Sequence, residues 1–383
     1  MTSETILRNA RIVLADDVVE GSIKLVDGQI ADIASGPSSV GEDMEGDFLT
    51  PGLIELHTDH LEGHYAPRPK VRWNPIAAVQ AHDAQIAASG ITTVFDALRI
   101  GLDDDAQTGI DDMLKLSTAI AEGRAAGRLR ADHFLHMRCE VSAPDCLPAF
   151  ERFGSHPLVR LVSLMDHAPG QRQFTNLDAY KAYFLGKNKL SEEEFRIYCE
   201  RRIGQSQIYS AKTRKAIADL CHERGVILAS HDDATLDHVE EAREQGIRVA
   251  EFPTTHTAAK ASKESGMSVL MGAPNVVRGG SHSGNVSARE LVEAGHLDII
   301  SSDYIPASMM QSAFFLADVL AHAPNAVSLP QAIRLVSKNP AQAVGFDDRG
   351  EIAEGKRADL VRVQVAEHVP IIKTVWREGR RVI

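Results

Sequence analysis

The sequence has little that would mark a secreted, membrane or nucleic-acid-binding chain. It holds four cysteines in 383 residues, Cys139, Cys146, Cys199 and Cys221, and none forms a Cys-x-x-Cys pair. That argues against a disulfide scaffold and a thiolate zinc site, and it suits a reducing compartment. No run reaches the roughly 18 apolar residues of a membrane span. The opening MTSETILRNARIVL lacks the basic region and apolar core of a signal peptide, so the expected location is the cytoplasm. Positive charge is in deficit: 41 Lys+Arg face 53 Asp+Glu, a formal net charge of −12. A nucleic-acid partner held by overall charge is not expected. There is no G-x-x-x-x-G-K-[ST], so a nucleotide P-loop is absent.

What is present is an ordinary globular composition, 44% hydrophobic and 25% charged. At roughly 150 residues per domain, the length fits two or three domains, or one large barrel with an accessory domain. The two ends read alike. ILRNARIVL, SIKLVDGQIADI and DFLTPG are short and alternating, with Asp27-Gly28 as a hairpin turn; GEIAEGKRADLVRV and IIKTVWREGRRVI repeat the style, with Glu378-Gly379 at a turn. Residues 1–50 and 346–383 are therefore expected to form one small β-sandwich domain built from both termini.

Residues 51–345 read differently. Apolar strand-like runs alternate with helical patterns that end near a glycine, as in PIAAVQAHDAQIAAS before Gly90 and TLDHVEEAREQ before Gly246. The strand candidates are LIELHTD, ITTVFDAL, HFLHMRCEV, LVRLVSLMDH, VILASHDD, RVAEFPTT, SVLMGAPN and LDIISSDY. This rhythm predicts parallel βα units and an α/β (β/α)8 TIM barrel. Residues 170–212 are too long for a plain connection and predict a helical insertion over the barrel mouth, the alternative being an outer-surface excursion or a homodimer contact.

Chemistry in such barrels sits at the C-terminal strand ends. Strand 1 ends in His57, Asp59 and Glu62, strand 3 in Glu140, strand 4 in Asp166-His167, strand 5 in His231-Asp232-Asp233 and strand 8 in Asp303. Each has a bland alternative: a lone histidine is more often a hydrogen-bonded rim residue, Asp59 and Asp303 could cap helices, and Asp232 and Asp233 read as caps of the helix after them. Concurrence favours metal. His57 and Asp59 are two apart and share one side of a strand, and buried charges must be paired or bind metal. Imidazoles and carboxylates together suit zinc, manganese or iron.

Pro51-Gly52-Leu53-Ile54-Glu55-Leu56-His57-Thr58-Asp59 resembles the strand-1 metal motif of the amidohydrolase superfamily, as do the Ser302-Asp303 exit and the tail Gly355-Lys356-Arg357-Ala358-Asp359-Leu360. The motif here is His-x-Asp rather than His-x-His, no lysine ends strand 4, and Glu251 stands on strand 6 where a ligand histidine is usual. The runs from His57 to Glu62, Met165 to Gln171, Ser230 to Asp233, Ala250 to Thr255, Gly272 to Asn275 and Arg278 to Asn285 are similar to a subgroup of diphosphatases of phosphonate catabolism, encoded with the carbon–phosphorus lyase machinery. That resemblance implies cleavage of the triphosphate of alpha-D-ribose 1-methylphosphonate 5-triphosphate, releasing diphosphate, with one or two divalent ions, zinc first.

A triphosphate needs cations and backbone donors. Arg68, Lys70 and Arg72 follow strand 1, and Arg99, Arg138, Arg172 and Arg278 follow strands 2, 3, 4 and 7. Asn275, Ser281 and Ser283 complete the expected substrate contacts. Singly each would be a surface residue. Together on one face of an acidic protein they point to a small phosphorylated substrate. The expected site has His57 and Asp59 on one ion, His167 and His231 on a second, Glu140 bridging, and Asp303 as ligand and proton acceptor. His282 is the candidate catalytic residue that protonates the leaving group or binds one of its oxygens, binding being favoured. The alternative reading is hydrolysis of a cyclic amide, or of an acylated or aminated small molecule, by the same metals.

Overall fold

A computed structural model describes residues 4–101, 108–172, 191–281 and 284–383. The N-terminal strands are β1 (Glu4–Val13), β2 (Val18–Val26), β3 (Gln29–Ser35), β4 (Glu42–Asp43) and β5 (Phe48–Pro51). The next eight are β6 (Leu53–Thr58), β7 (Ile91–Ile100), β8 (Asp132–Glu140), β9 (Val159–Met165), β10 (Ile227–His231), β11 (Val249–Glu251), β12 (Ser268–Gly272) and β13 (Ile299–Ser301). The chain ends in β14 (Leu360–Ala366), β15 (Val369–Arg377) and β16 (Arg380–Arg381).

Strands β6 to β13 pair in sequence order, each parallel to its neighbour. A bridge between Thr58 and Asp303 brings the first and last strands together, so the sheet is a nearly closed barrel. The strands are buried on both faces, which is why they read as near-continuous apolar runs. Ile54, Leu56, Phe95, Phe134, Leu161 and Leu270 belong to one buried cluster that fills the interior. All eight strand candidates fall on barrel strands.

The terminal strands form a separate sheet in the order β16-β15-β14-β5-β1-β2-β3. Asp27 and Gly28, and Glu378 and Gly379, take positive φ at their hairpin turns, as two-residue turns between twisted strands require. A third such turn uses Glu367 (φ 49°) and His368 (φ 65°), which carry no glycine signal.

Part of the 170–212 segment, residues 173–190, lies outside the described residues. From Glu192 the chain runs as one helix to Arg224. A Ser191/Glu194 capping box starts it and Gly225, at φ 65°, ends it. The helix that leads into β10 is thus the second half of a longer rod. Its first half reaches the barrel mouth: Arg202 donates to Glu140 at 3.3 Å and Ser206 to Asp166 at 2.7 Å. Among the described residues no helix is long and apolar enough to cross a membrane.

Candidate active site

A register irregularity between Glu55 and Thr58 interrupts the alternation of β6, the His57 ring packs against His136 and Phe252, and the chain then leaves the barrel at Asp59. Across the seam, the Asp303 amide donates to His57 O (3.0 Å) and the Asp59 amide to Asp303 O (2.8 Å). These backbone bonds hold His57, Asp59 and Asp303 together, and potential ligand atoms of the three lie within 4.8 Å of one another. His57 Nδ1 sits 3.1 Å from Glu251 Oε1, which leaves Nε2 facing Asp59 Oδ1 at 3.6 Å. A carboxylate fixing the far nitrogen of a ligand histidine is a recurring device at metal sites.

A second group, His167, His231 and Asp232, meets the same 4.8 Å limit. The His57 and His231 rings are 5.8 Å apart, and those of His167 and His231 5.5 Å, so the groups adjoin. Asp232, Phe252 and Asp303 all take left-handed φ, at 58°, 52° and 57°. That conformation is costly for residues other than glycine and clusters at functional sites. Here it re-aims the chain as it leaves β10, β11 and β13.

Two carboxylates stand differently from the expected site. Glu140 is not placed as a bridge. Its Oε1 accepts from Ser142 (2.5 Å) and from the His167 amide (3.1 Å), and its Oε2 meets His167 Nδ1 at 2.7 Å. With its oxygens so engaged, Glu140 orients His167. Asp232, read as a helix cap, is instead the carboxylate shared by His167 and His231, at 3.6 and 2.9 Å. The cap of helix Leu236–Glu244 is Thr235. His136 and Glu251, also not expected as site residues, complete the inner wall beneath His57.

Electrostatics separate the groups. Burial, then Arg138, hold His57 down at about 3, so its imidazole is neutral. Burial, then Asp59, push Asp303 up to about 7 against the pull of Arg138. Burial opposes charging His167, but Glu140 and Asp232 outweigh it and raise the ring to about 9. Asp59 Oδ1 and His231 Nε2 are buried without a hydrogen-bond partner, and Asp232 Oδ2 and His231 Nδ1, although 2.9 Å apart, do not meet in good hydrogen-bond geometry. Buried polar atoms are nearly always bonded. An orphaned imidazole nitrogen beside carboxylate oxygens fits divalent ions of the zinc class.

The expected cations divide. Arg138 donates to Asp59 Oδ2 at 2.6 Å, and Arg99 acts on both Asp59 and Glu62, so these two stand at the mouth. Arg68, Lys70 and Arg278 are exposed. Arg72 donates to Asp112 at 3.2 Å. Asn275 Oδ1 accepts from the Ala288 amide at 2.9 Å, which pins the start of helix Ala288–Glu293, and Ser281 is half-buried. Arg172 is not free for substrate. It is 4% exposed and clamped between Asp233 and Glu241. His282 and Ser283 lie outside the described residues.

Residues 77–383 match the Amidohydrolase family. This chain belongs to that family. Among curated relatives, the alpha-D-ribose 1-methylphosphonate 5-triphosphate diphosphatase of Escherichia coli is 49% identical, over 98% of this chain and 100% of the relative. The imidazolonepropionase of Fusobacterium nucleatum is 24% identical, over 93% and 85%. The solved N-acetylglucosamine-6-phosphate deacetylase of Pasteurella multocida matches with TM-score 0.65 at 14% identity, covering 99% of each chain. These structural likenesses show the fold; for a family member of this fold, a metal-assisted hydrolytic site at the strand ends is the expected arrangement.

Proposed function

We propose that this amidohydrolase cleaves the triphosphate of alpha-D-ribose 1-methylphosphonate 5-triphosphate to release diphosphate, in phosphonate catabolism. The observation that carries the reading is 49% identity along essentially the whole chain to the Escherichia coli diphosphatase. The mouth supports it independently through neutral His57, orphaned Asp59 Oδ1 and His231 Nε2, and cations facing them.

His57, Asp59 and Asp303 would hold one divalent ion, and His167, His231 and Asp232 another, zinc being the first choice. Such ions supply Lewis acidity and lower the pKa of bound water. Glu251 and Glu140 hold the His57 and His167 rings in place. Asp303, at the exit of the last barrel strand beside His57 and Asp59, takes the proton of the attacking water. Arg99 and Arg138 bind phosphate oxygens near Asp59, and Arg278 and Ser281 bind the distal phosphates. Phosphoryl transfer depends mainly on such positioning and charge neutralisation. We assign the cytoplasm as the location and retain a homodimer as a proposal. The partner is a small phosphorylated molecule.

A turnover screen with the metal-loaded protein tests the reading. Hydrolysis of the ribose triphosphate and not of imidazolones or acylated amino sugars is expected. Turnover of cyclic or acyclic amides without triphosphate cleavage would replace the proposal with the amide-hydrolase reading.

A further inference from the structure

We propose a second metal site, outside the barrel wall, in which His60, His64 and His82 bind a divalent transition-metal ion of the zinc class. His60 and His64 lie one turn apart on helix His60–Tyr65, and His82 lies on helix Pro75–Ala88. Potential ligand atoms of the three lie within 4.8 Å of one another. The rings sit 4.8, 5.8 and 5.9 Å apart, centre to centre.

The second observation is the state of the nitrogens. His60 Nδ1, His64 Nε2 and His82 Nδ1 are buried and have no hydrogen-bond partner, and His82 is 0% exposed. The opposite nitrogen of His82 is fixed, with Nε2 2.7 Å from Asp96 Oδ1. Asp96 Oδ2 meets His133 Nδ1 at 2.7 Å, His133 Nε2 meets Asp83 at 3.2 Å, and Arg130 meets Asp83 at 3.1 Å. A ligand imidazole backed by a hydrogen-bonded carboxylate is how proteins set the tautomer and direction of a zinc-binding histidine. Three histidines with an open fourth position are a familiar zinc donor set.

This cluster is separate from the mouth. Phe95 and Phe134 point into the barrel, so their neighbours Asp96 and His133 point to the opposite face, toward the helices. The two helices that supply the histidines flank residues 66–74, which carry Arg68, Lys70 and Arg72. An ion here fastens both ends of that cationic segment immediately after Asp59.

Zinc stoichiometry tests the site. Wild type, His64→Gln and His60→Asn are stripped, equilibrated with Zn2+, gel-filtered and measured by mass spectrometry, with circular dichroism confirming the fold. Each variant is expected to hold one equivalent less than wild type, while His57→Ala keeps that equivalent. Equal zinc in wild type and both variants would overturn the site and leave water as the occupant. Anomalous scattering at the zinc edge from wild-type crystals gives the same answer without a variant. A peak among the three rings supports the site, and its absence alongside peaks at the mouth overturns it. Neither result depends on which substrate the mouth turns over.

Discussion

The two ends of the barrel bury ionic groups in opposite ways. At the base, Asp132 opens β8 and meets Arg357 (2.6 Å), Arg349 (2.9 Å) and Arg377 (3.2 Å) from the C-terminal segment. Burial pushes its carboxyl up, but Arg357 and the other arginines bring it below its ordinary value. At the mouth, Asp59, Asp232 and Asp303 crowd together; burial opposes their charging, yet Arg138 brings Asp59 and His231 brings Asp232 below the ordinary value, and Asp303 alone is pushed up, by burial and then Asp59. A compensated buried charge ties two parts of a fold together. An uncompensated one waits for a ligand to supply the missing charge. The base is therefore read as structural and the mouth as functional, although both are built from the same residue types.

The sharpest way to break this contrast is to neutralise one acid at each end. Asp303→Asn should lower kcat by about 10²- to 10⁴-fold while metal content by mass spectrometry stays unchanged. Turnover near wild type would remove Asp303 as proton acceptor. Asp132→Ala should destabilise the fold by about 3 kcal/mol, read as a lower Tm, with kcat of the folded protein retained. In metal-free protein Asp303→Asn should leave Tm unchanged or higher, and a large drop would erase the distinction.

Two arginines, Arg278 exposed and Arg172 buried, sharpen it further. Arg278→Ala should raise KM for a triphosphate by about tenfold, the loss of one charge-assisted hydrogen bond, and raise it less for a monophosphate. Arg172→Ala should lower Tm and leave that ratio alone, because Asp233 and Glu241 already occupy its guanidinium. Equal KM effects on both substrates for Arg278→Ala would remove it from the phosphate cradle.

The smallest effect is on pH dependence. Asp303 has its folded pKa raised to about 7 from 3.8. Between those values the folded state holds a proton that the unfolded state releases, so this group's contribution falls as pH rises. Metal-free wild type should therefore gain Tm between pH 7 and pH 5 relative to Asp303→Asn. The Asp132 contribution runs the other way, present above its ordinary value and lost as pH falls through its lowered one. Parallel Tm profiles for wild type and Asp303→Asn would contradict the assignment.

Much of this architecture was legible in the sequence because it is written in period and punctuation. Apolar runs closed by glycines marked the barrel strands, and Asp27-Gly28 and Glu378-Gly379 marked two hairpins. The Glu367-His368 turn was not, since its strained φ values come from strand pairing rather than from residue choice. His57, Asp59, His167, His231 and Asp303 could be picked because strand ends converge in a parallel barrel. The division of labour among the carboxylates could not be. That Asp232 stands between the His167 and His231 rings while Glu140 reaches only His167 goes with the left-handed turn at Asp232, which no local pattern announces. Arg172 looked like a mouth residue by position, but Asp233 and the distant Glu241 claim it. His60, His64 and His82 meet only after two helices pack side by side.

Phosphorus NMR of the products formed from the ribose triphosphate tests the central claim most directly. The account predicts equal amounts of diphosphate and a 5-monophosphate ester from metal-loaded protein, and no reaction after chelation. Orthophosphate as the first product, or cleavage that persists without metal, would contradict it.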